Sequence, residues 1–424
     1  MKLRRIVSLF MAAVLLSLAL LIPANASAAA EPLNDAPFVF VHGYNGWGGA
    51  EGIDSALPYW GATTGSLMQF LQEEGYEAYS ASVGPINSAW DRACELYAQL
   101  TGTTVDYGAA HAAAHHHARF GRTYEKPLFA GWGAEKQIHL IGHSFGGNTV
   151  RMFVQLLTAG DETERAATPA GELSGLFTGG KDDWVRSVTA ICAPHQSSTV
   201  FYFVKPFGLI SLMTSFSILY IGLVGRSFLN GRAVDFHMEQ FGLSAVPGEK
   251  ATVPLLQAMR NTYENFDDTC IYDLTPEGNE ALNRYVTINP DLYYFSYAFS
   301  ATREVPGLHT QIPMLGTNPI IAPLAAIIGM IRMTDPYNGT VYDDSWLPND
   351  CMVNVESAKH PKYEPYTDYD PADVAPGVWN VMPVQPGDHG TAIGLLADKE
   401  QTHDFYIELC EMLNALPAEH GIPE

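Results

Sequence analysis

The chain has 424 residues and a formal net charge of −23; its first thirty residues hold three of the 23 basic residues and no acidic one, so the remainder carries 20 basic against 46 acidic residues, a net of −26. A polypeptide this acidic does not bind nucleic acid or an anionic membrane through charge, and it suits a neutral substrate. Five cysteines (Cys94, Cys192, Cys270, Cys351, Cys410), odd in number and without a C-x-x-C pair, exclude a disulfide scaffold.

The chain opens with basic residues, an apolar run and small residues at Ala24, Ala26 and Ala28. That pattern predicts a signal peptide over 1–28 and a secreted mature chain of 29–424 without a transmembrane segment. No linker or internal repeat divides the rest, so a single catalytic domain is expected. PFVFVHGYNGWG (37–48) reads as a buried strand running into a His-Gly turn; its glycine spacing does not fit a dinucleotide fingerprint. A helix with Leu67, Phe70 and Leu71 follows, then a strand around Tyr76 to Val83. WDRACELYAQL (90–100) has helical periodicity, and VDYGAAHAAAHHHARFGRTY (105–124) gathers four histidines, a metal-site composition in which helical spacing alone pairs His111 with His115.

IHLIGHSFGGNTVRMFVQLL (138–157) organises the chain. A short apolar strand meets Gly142-His143-Ser144-Phe145-Gly146, and a helix follows with Val150, Phe153, Val154 and Leu157 on one face. Strand, sharp turn and helix form the setting in which a serine becomes an exposed nucleophile, and the next amide, that of Phe145, lies at a helix N-terminus suited to an oxyanion. The early His-Gly turn supplies a second oxyanion donor, the Tyr44 amide. A strand is expected in WVRSVTAICAPH (184–195), another in LYYFSYAFS (292–300) and a third at the start of WNVMPVQPGDHG (379–390); 363–373 reads as loop, and 398–416 as a final amphipathic helix. PFGLISLMTSFSILYIGLVG (206–225) carries no charge and is broken by proline and glycine, which suits a lid over an acyl cleft within a region of about 200–262. A serine nucleophile needs a base and an orienting acid, in the order Ser, Asp, His. His389 stands out in its Gly-Asp-His-Gly loop; Asp335, Asp343, Asp344 and Asp350 remain open as acids.

These motifs, and above all the run from 83 to 124, closely resemble bacterial lipase family I.5, the zinc-containing lipases of thermophilic bacilli. The resemblance implies an α/β-hydrolase fold: a mostly parallel central sheet with helices on both faces, a zinc-binding insertion at about 85–125 and a helical lid. It implies hydrolysis of acylglycerol esters at an oil–water interface, with a carboxylesterase or polyesterase as the alternative and a non-catalytic binder as the distant one. It selects Asp350 as the acid beside Ser144 and His389, with Cys351 where relatives usually carry glycine. It implies a structural Zn²⁺ held by Asp91, His111, His117 and, where relatives have Asp, Glu239; His117 is thus preferred to His115. The relatives' calcium is not expected here: Gly316 matches, but Thr391 and Leu396 stand at the acidic positions, and Asp398 substitutes only if the loop shifts.

Overall fold

The computed structural model describes residues 36–204, 235, 237–241 and 267–417. The expected signal segment and the charge-free run at 206–225 lie outside these residues.

The elements that position the site are, in chain order, β1 (Phe38–Val41), α1 (Leu67–Glu73), β2 (Ala78–Ala81), α2 (Ala89–Thr101), β3 (Thr104–Asp106), α3 (Ala109–His115), β4 (Phe120–Thr123), β5 (Ile138–His143), α4 (Phe145–Thr158), β6 (Val185–Ile191), α5 (Pro276–Tyr285), β7 (Tyr293–Tyr297), β8 (Tyr366–Asp368), β9 (Trp379–Val381) and α6 (Lys399–Asn414). Seven strands form one sheet in the order β8-β9-β7-β6-β5-β1-β2. Every pairing in it is parallel.

A parallel sheet is covered on both faces, so its inner strands are buried and alternate residues enter two different cores. Val39 and Val41 of β1 and Ile138 and Leu140 of β5 belong to one core, together with Val150, Phe153, Val154 and Leu157 of α4 and Ala93 and Leu96 of α2. Phe38, Phe40 and Ile141 belong to the other, with Leu67 and Leu71 of α1 and Tyr406, Leu409 and Leu413 of α6. This is the α/β-hydrolase arrangement that the family resemblance implies.

Register brings the carboxyl ends of the strands to one edge. Val41 pairs with Gly142, and His143 pairs with Ile191, which pairs with Tyr297. Loops leaving that edge converge where open parallel sheets bind ligands. The insertion is a β3–β4 antiparallel hairpin with α3 between its strands. One strand departs from expectation: β8 lies in the stretch read as loop. It is three exposed residues at the sheet edge, so no alternation of apolar and polar side chains marks it.

Candidate active site and metal centre

Ser144 sits at φ 55°, ψ −128°, between β5 and α4. A non-glycine residue there is strained, and the strain turns its side chain out of the backbone. The flanking glycines follow from packing. A Cβ on Gly142 would overlap the Gly146 carbonyl, and one on Gly146 would overlap the Val41 carbonyl. The Ser144 amide donates to the Ile191 carbonyl at 2.8 Å, tying the turn to β6. Phe145 is the first residue of α4, so its amide has no acceptor within the helix. The turn after β1 lies against the nucleophile: a Cβ on Gly43 would meet Ser144 Cβ at 2.8 Å. Tyr44 follows directly. Arg92, buried on α2, donates to the carbonyls of His42 and Gly43, and Asn45 N donates to Pro85 O at 2.9 Å, so this turn is held from beneath.

His389 and Asp350 meet. The Nδ1 of His389 lies 2.7 Å from Asp350 Oδ2, and the His389 amide donates to the Asp350 carbonyl at 2.8 Å. The other carboxylate oxygen accepts from the amides of Met352 (2.9 Å) and Val353 (2.7 Å). Asp350 is buried and His389 keeps a small exposed edge. Among the described residues no hydrogen bond joins Ser144 Oγ to the His389 ring; such contacts commonly tighten only with substrate. The ring of His389 lies 4.8 Å, centroid to centroid, from that of His143, the residue before the nucleophile. Cys351 is buried at φ 82°, a left-handed conformation that favours glycine, and the carboxylate before it keeps its partners.

The other candidate acids are committed elsewhere. Asp335 accepts from Tyr342 Oη and the Tyr337 amide, Asp343 caps Ser345, and Asp344 pairs with Arg332.

Asp91, His111 and His117 of the insertion and Asp268 from outside it each offer a ligand atom, and these atoms lie within 4.8 Å of one another. His111 Nε2 lies 3.2 Å from Asp91 Oδ1 and 3.3 Å from Asp268 Oδ1, and His117 Nε2 lies 3.2 Å from Asp268 Oδ2. A tetrahedron with metal–ligand bonds near 2.0–2.1 Å has edges of about 3.3 Å. Asp91 Oδ1, His111 Nε2, His117 Nε2 and Asp268 Oδ2 are buried without a hydrogen-bond partner. Buried polar atoms without partners need an explanation, and a cation at their common focus supplies one. The other nitrogen of His117 faces the Ala118 carbonyl at 2.8 Å, which fixes Nε2 as the free one. Trp90 stacks on His111, 4.9 Å between centroids. Burial opposes charge on His111, yet Asp268 and Asp91 outweigh it and push its pKa up to about 10. Asp91 is pushed up by burial and by Asp268. A cation binding here displaces those protons.

The expected fourth ligand, Glu239, is a correction. Its carboxylate pairs with Arg122, which also holds Asp235. The short 3₁₀ turn Glu239–Phe241 directs Gln240 to the site instead, where Nε2 donates to Asp91 Oδ2 at 3.0 Å. Asp268 takes the ligand place. It lies just before the helix Cys270–Leu274, more than a hundred residues from the histidines, and only the neighbouring acid Asp267 marks it in the sequence. His115 stays outside the group, 3.6 Å from Asp267. The reason is local: α3 ends at His116, which is left-handed (φ 60°), and the reversal carries His117 back over Ala112. Near the implied calcium position, Asp398 is the N-cap of α6, accepting from the Gln401 amide, and Thr391 Oγ1 accepts from the Asp388 amide.

A second buried group was not foreseen. His237 (φ 49°) lies between Glu51 and Glu95, at 3.2 and 3.3 Å. Burial and Arg122 work against its charge, but Glu95 and Glu51 prevail and push its pKa up to about 9. Glu51 also accepts from the Gly48 amide and Ser82 Oγ, so the ion pair reaches the loop after β1.

The family model for the lipase-like, C-terminal domain matches residues 34–417. The lipase of Staphylococcus hyicus is 37% identical over 390 residues, 91% of this chain and 57% of that protein. The chain thus spans little more than half the length of that curated relative. The crystal structure of the same lipase superposes with a TM-score of 0.77 over 92% of this chain and 98% of that one, at 32% identity. EstA of Clostridium botulinum gives 0.76 at 34% identity, covering 94% and 92% of the two chains. Lipase 1 of Pelosinus fermentans gives 0.73 at 36%, covering 91% and 100%.

Proposed function

The chain belongs to the lipase-like, C-terminal domain family, and on that premise we propose that it is a secreted serine hydrolase of carboxylic esters, with triacylglycerols as its first substrates. The observation that carries this reading is the pairing of a strained, turned-out Ser144 with a buried Asp350–His389 hydrogen bond at the same sheet edge.

Asp350 accepts a hydrogen bond from the Nδ1–H of His389 and so holds the tautomer whose Nε2 is bare and acts as the base. As Ser144 Oγ attacks the ester carbonyl, its proton passes to Nε2. The negative charge that develops on the carbonyl oxygen falls to the amides of Phe145 and Tyr44, where preorganised donors stabilise it. His389 then protonates the leaving alcohol, an acyl group remains on Ser144, and water activated by the same base releases the acid. Asp350, held by two backbone amides as well as the imidazole, stabilises the imidazolium formed in both steps.

Zn²⁺ is the ion that two aspartates and two imidazoles suit, with Asp91, His111, His117 and Asp268 as ligands. Four protein ligands close its shell, so its contribution is to stability. The signal-like segment at 1–28 supports secretion. Among the described residues no helix is long and apolar enough to cross a membrane.

The test compares emulsified long-chain triglyceride with a soluble chromogenic short-chain ester. Turnover of both, with a rise once emulsion forms, supports a lipase. Turnover of the short ester alone makes the protein a carboxylesterase, and turnover of neither refutes the proposal.

A further inference from the structure

Three separate loops must hold register for the proposed chemistry: the turn after β1 with the oxyanion donor Tyr44, the elbow, and the loop of His389. One line of hydrogen bonds, two buried and the third part-buried, joins all three. Gly43 N lies 2.9 Å from Tyr59 Oη, Tyr59 Oη lies 2.7 Å from His143 Nδ1, and His143 Nε2 lies 3.0 Å from the His389 carbonyl oxygen.

The direction of each bond is forced. A carbonyl oxygen only accepts, so His143 Nε2 carries the proton. Burial, reinforced by His389, holds the His143 pKa well below the ordinary histidine range, so the ring is neutral and Nδ1 is bare. Nδ1 therefore accepts from the Tyr59 hydroxyl, and the Tyr59 oxygen accepts from the Gly43 amide. Each N–H or O–H donor in the line is spent on its neighbour, so losing one member leaves the next without the bond that positions it.

The line is also well placed. The His389 main chain is gripped on both sides, its amide by the Asp350 carbonyl and its carbonyl by His143. Tyr59 packs against Trp47, His42 and Trp60, with ring centroids 5.6–5.7 Å apart. Gly61 and Thr63, just beyond it, donate to the carbonyls of Ile393 and Gly394, in the loop that follows His389. Residues 59–63 thus touch both the oxyanion turn and the histidine loop.

The geometry points to Tyr59 and His143 as positioning residues: together they form a strut that fixes the distance between the oxyanion donors and the base. Neither touches the reacting atoms. The inference rests on the serine-hydrolase reading above.

The test measures kcat and KM for p-nitrophenyl butyrate at 25 °C in the wild type, Tyr59→Phe, His143→Gln and His143→Asn, each checked for metal content and melting temperature. A displacement approaching 1 Å at reacting groups costs on the order of 100-fold in rate. Tyr59→Phe should lower kcat about 10- to 100-fold with KM within about twofold. A glutamine amide nitrogen occupies the Nε2 position and still donates to His389, whereas an asparagine amide reaches only the Nδ1 position. His143→Gln should therefore retain several-fold more kcat than His143→Asn, and Tyr59→Phe combined with His143→Asn should be hardly worse than either alone. A kcat of Tyr59→Phe within twofold of wild type, or equal losses in the two His143 variants, overturns the strut. A wild type without esterase activity overturns the serine-hydrolase reading instead.

Discussion

Replacing Asp268 by alanine separates the ligand group that the fold assembles from the one expected by matching sequence to relatives. Asp268 supplies one of two carboxylates facing His111 and His117, and its removal leaves three ligands. Glu239 lies on Arg122, so Glu239→Gln should leave the group intact. A metal that binds only the native state stabilises by RT ln(1 + [L]/Kd), about 4 kcal/mol when free metal is a thousandfold above Kd. For the roughly 380 residues that the family model spans (34–417), an unfolding entropy of about 2.1 cal/mol/K per residue gives about 0.8 kcal/mol per kelvin. Loss of that metal should therefore lower the melting temperature by about 5 °C. The assay is elemental analysis of dialysed protein together with thermal unfolding, with and without a chelator. Wild type and Glu239→Gln should carry about one zinc and melt lower with chelator, whereas Asp268→Ala should lack zinc and be indifferent to chelator. Zinc retained by Asp268→Ala but lost by Glu239→Gln would refute the assignment.

Ser144→Ala and His389→Ala should each abolish ester hydrolysis without unfolding the protein, and the double variant should be hardly worse than either, because a triad acts as a unit; initial rates decide this. Asp350→Asn should lower kcat by as much as about 10⁴-fold through the wrong imidazole tautomer, while Asp343→Asn and Asp344→Asn stay near wild type. Gly146→Ala should cost more than about 3 kcal/mol in urea unfolding, since its Cβ would overlap the Val41 carbonyl of the neighbouring strand. His237 has a folded pKa raised to about 9 from an ordinary 6.5. Its contribution is therefore complete below about pH 6.5 and is lost as pH rises towards 9, on the order of 3 kcal/mol. His237→Gln should flatten the pH dependence of the urea midpoint across that window; an unchanged slope would show that the ion pair contributes nothing.

What could be read from the chain was what is local. The elbow is spelled by consecutive residues whose strand, turn and helix each obey their own periodicity, and both flanking glycines prove to be demanded by contacts. Short apolar runs between helices marked most of the central strands, and their parallel arrangement followed from the family resemblance. The edge strand β8 stayed hidden because three exposed residues bury no alternating face. Asp350 could not be separated from its neighbours by geometry alone, because Asp335, Asp343 and Asp344 lie in similar turns; their hydrogen bonds, formed in the fold, distinguish them. Helical spacing favoured His115, and its ring does lie 4.5 Å from that of His111, but the left-handed His116 reverses the chain and brings His117 to the group instead. Asp268 is the clearest failure. It joins the metal group through tertiary folding, and matching a conserved-looking acid at 239 gave a residue whose charge is used by Arg122. The Tyr59–His143 line was invisible for the same reason: residues 43, 59, 143 and 389 meet only when the sheet edge is assembled.

Reaction with a p-nitrophenyl alkylphosphonate tests the central claim most directly, because such an ester traps a nucleophile that an adjacent base activates. One equivalent of p-nitrophenol should be released per chain, peptide mass analysis should place the phosphonyl group on Ser144, and labelling should fall away in Ser144→Ala and slow greatly in His389→Ala. Label carried by another residue, or ester hydrolysis that survives Ser144→Ala, would contradict it.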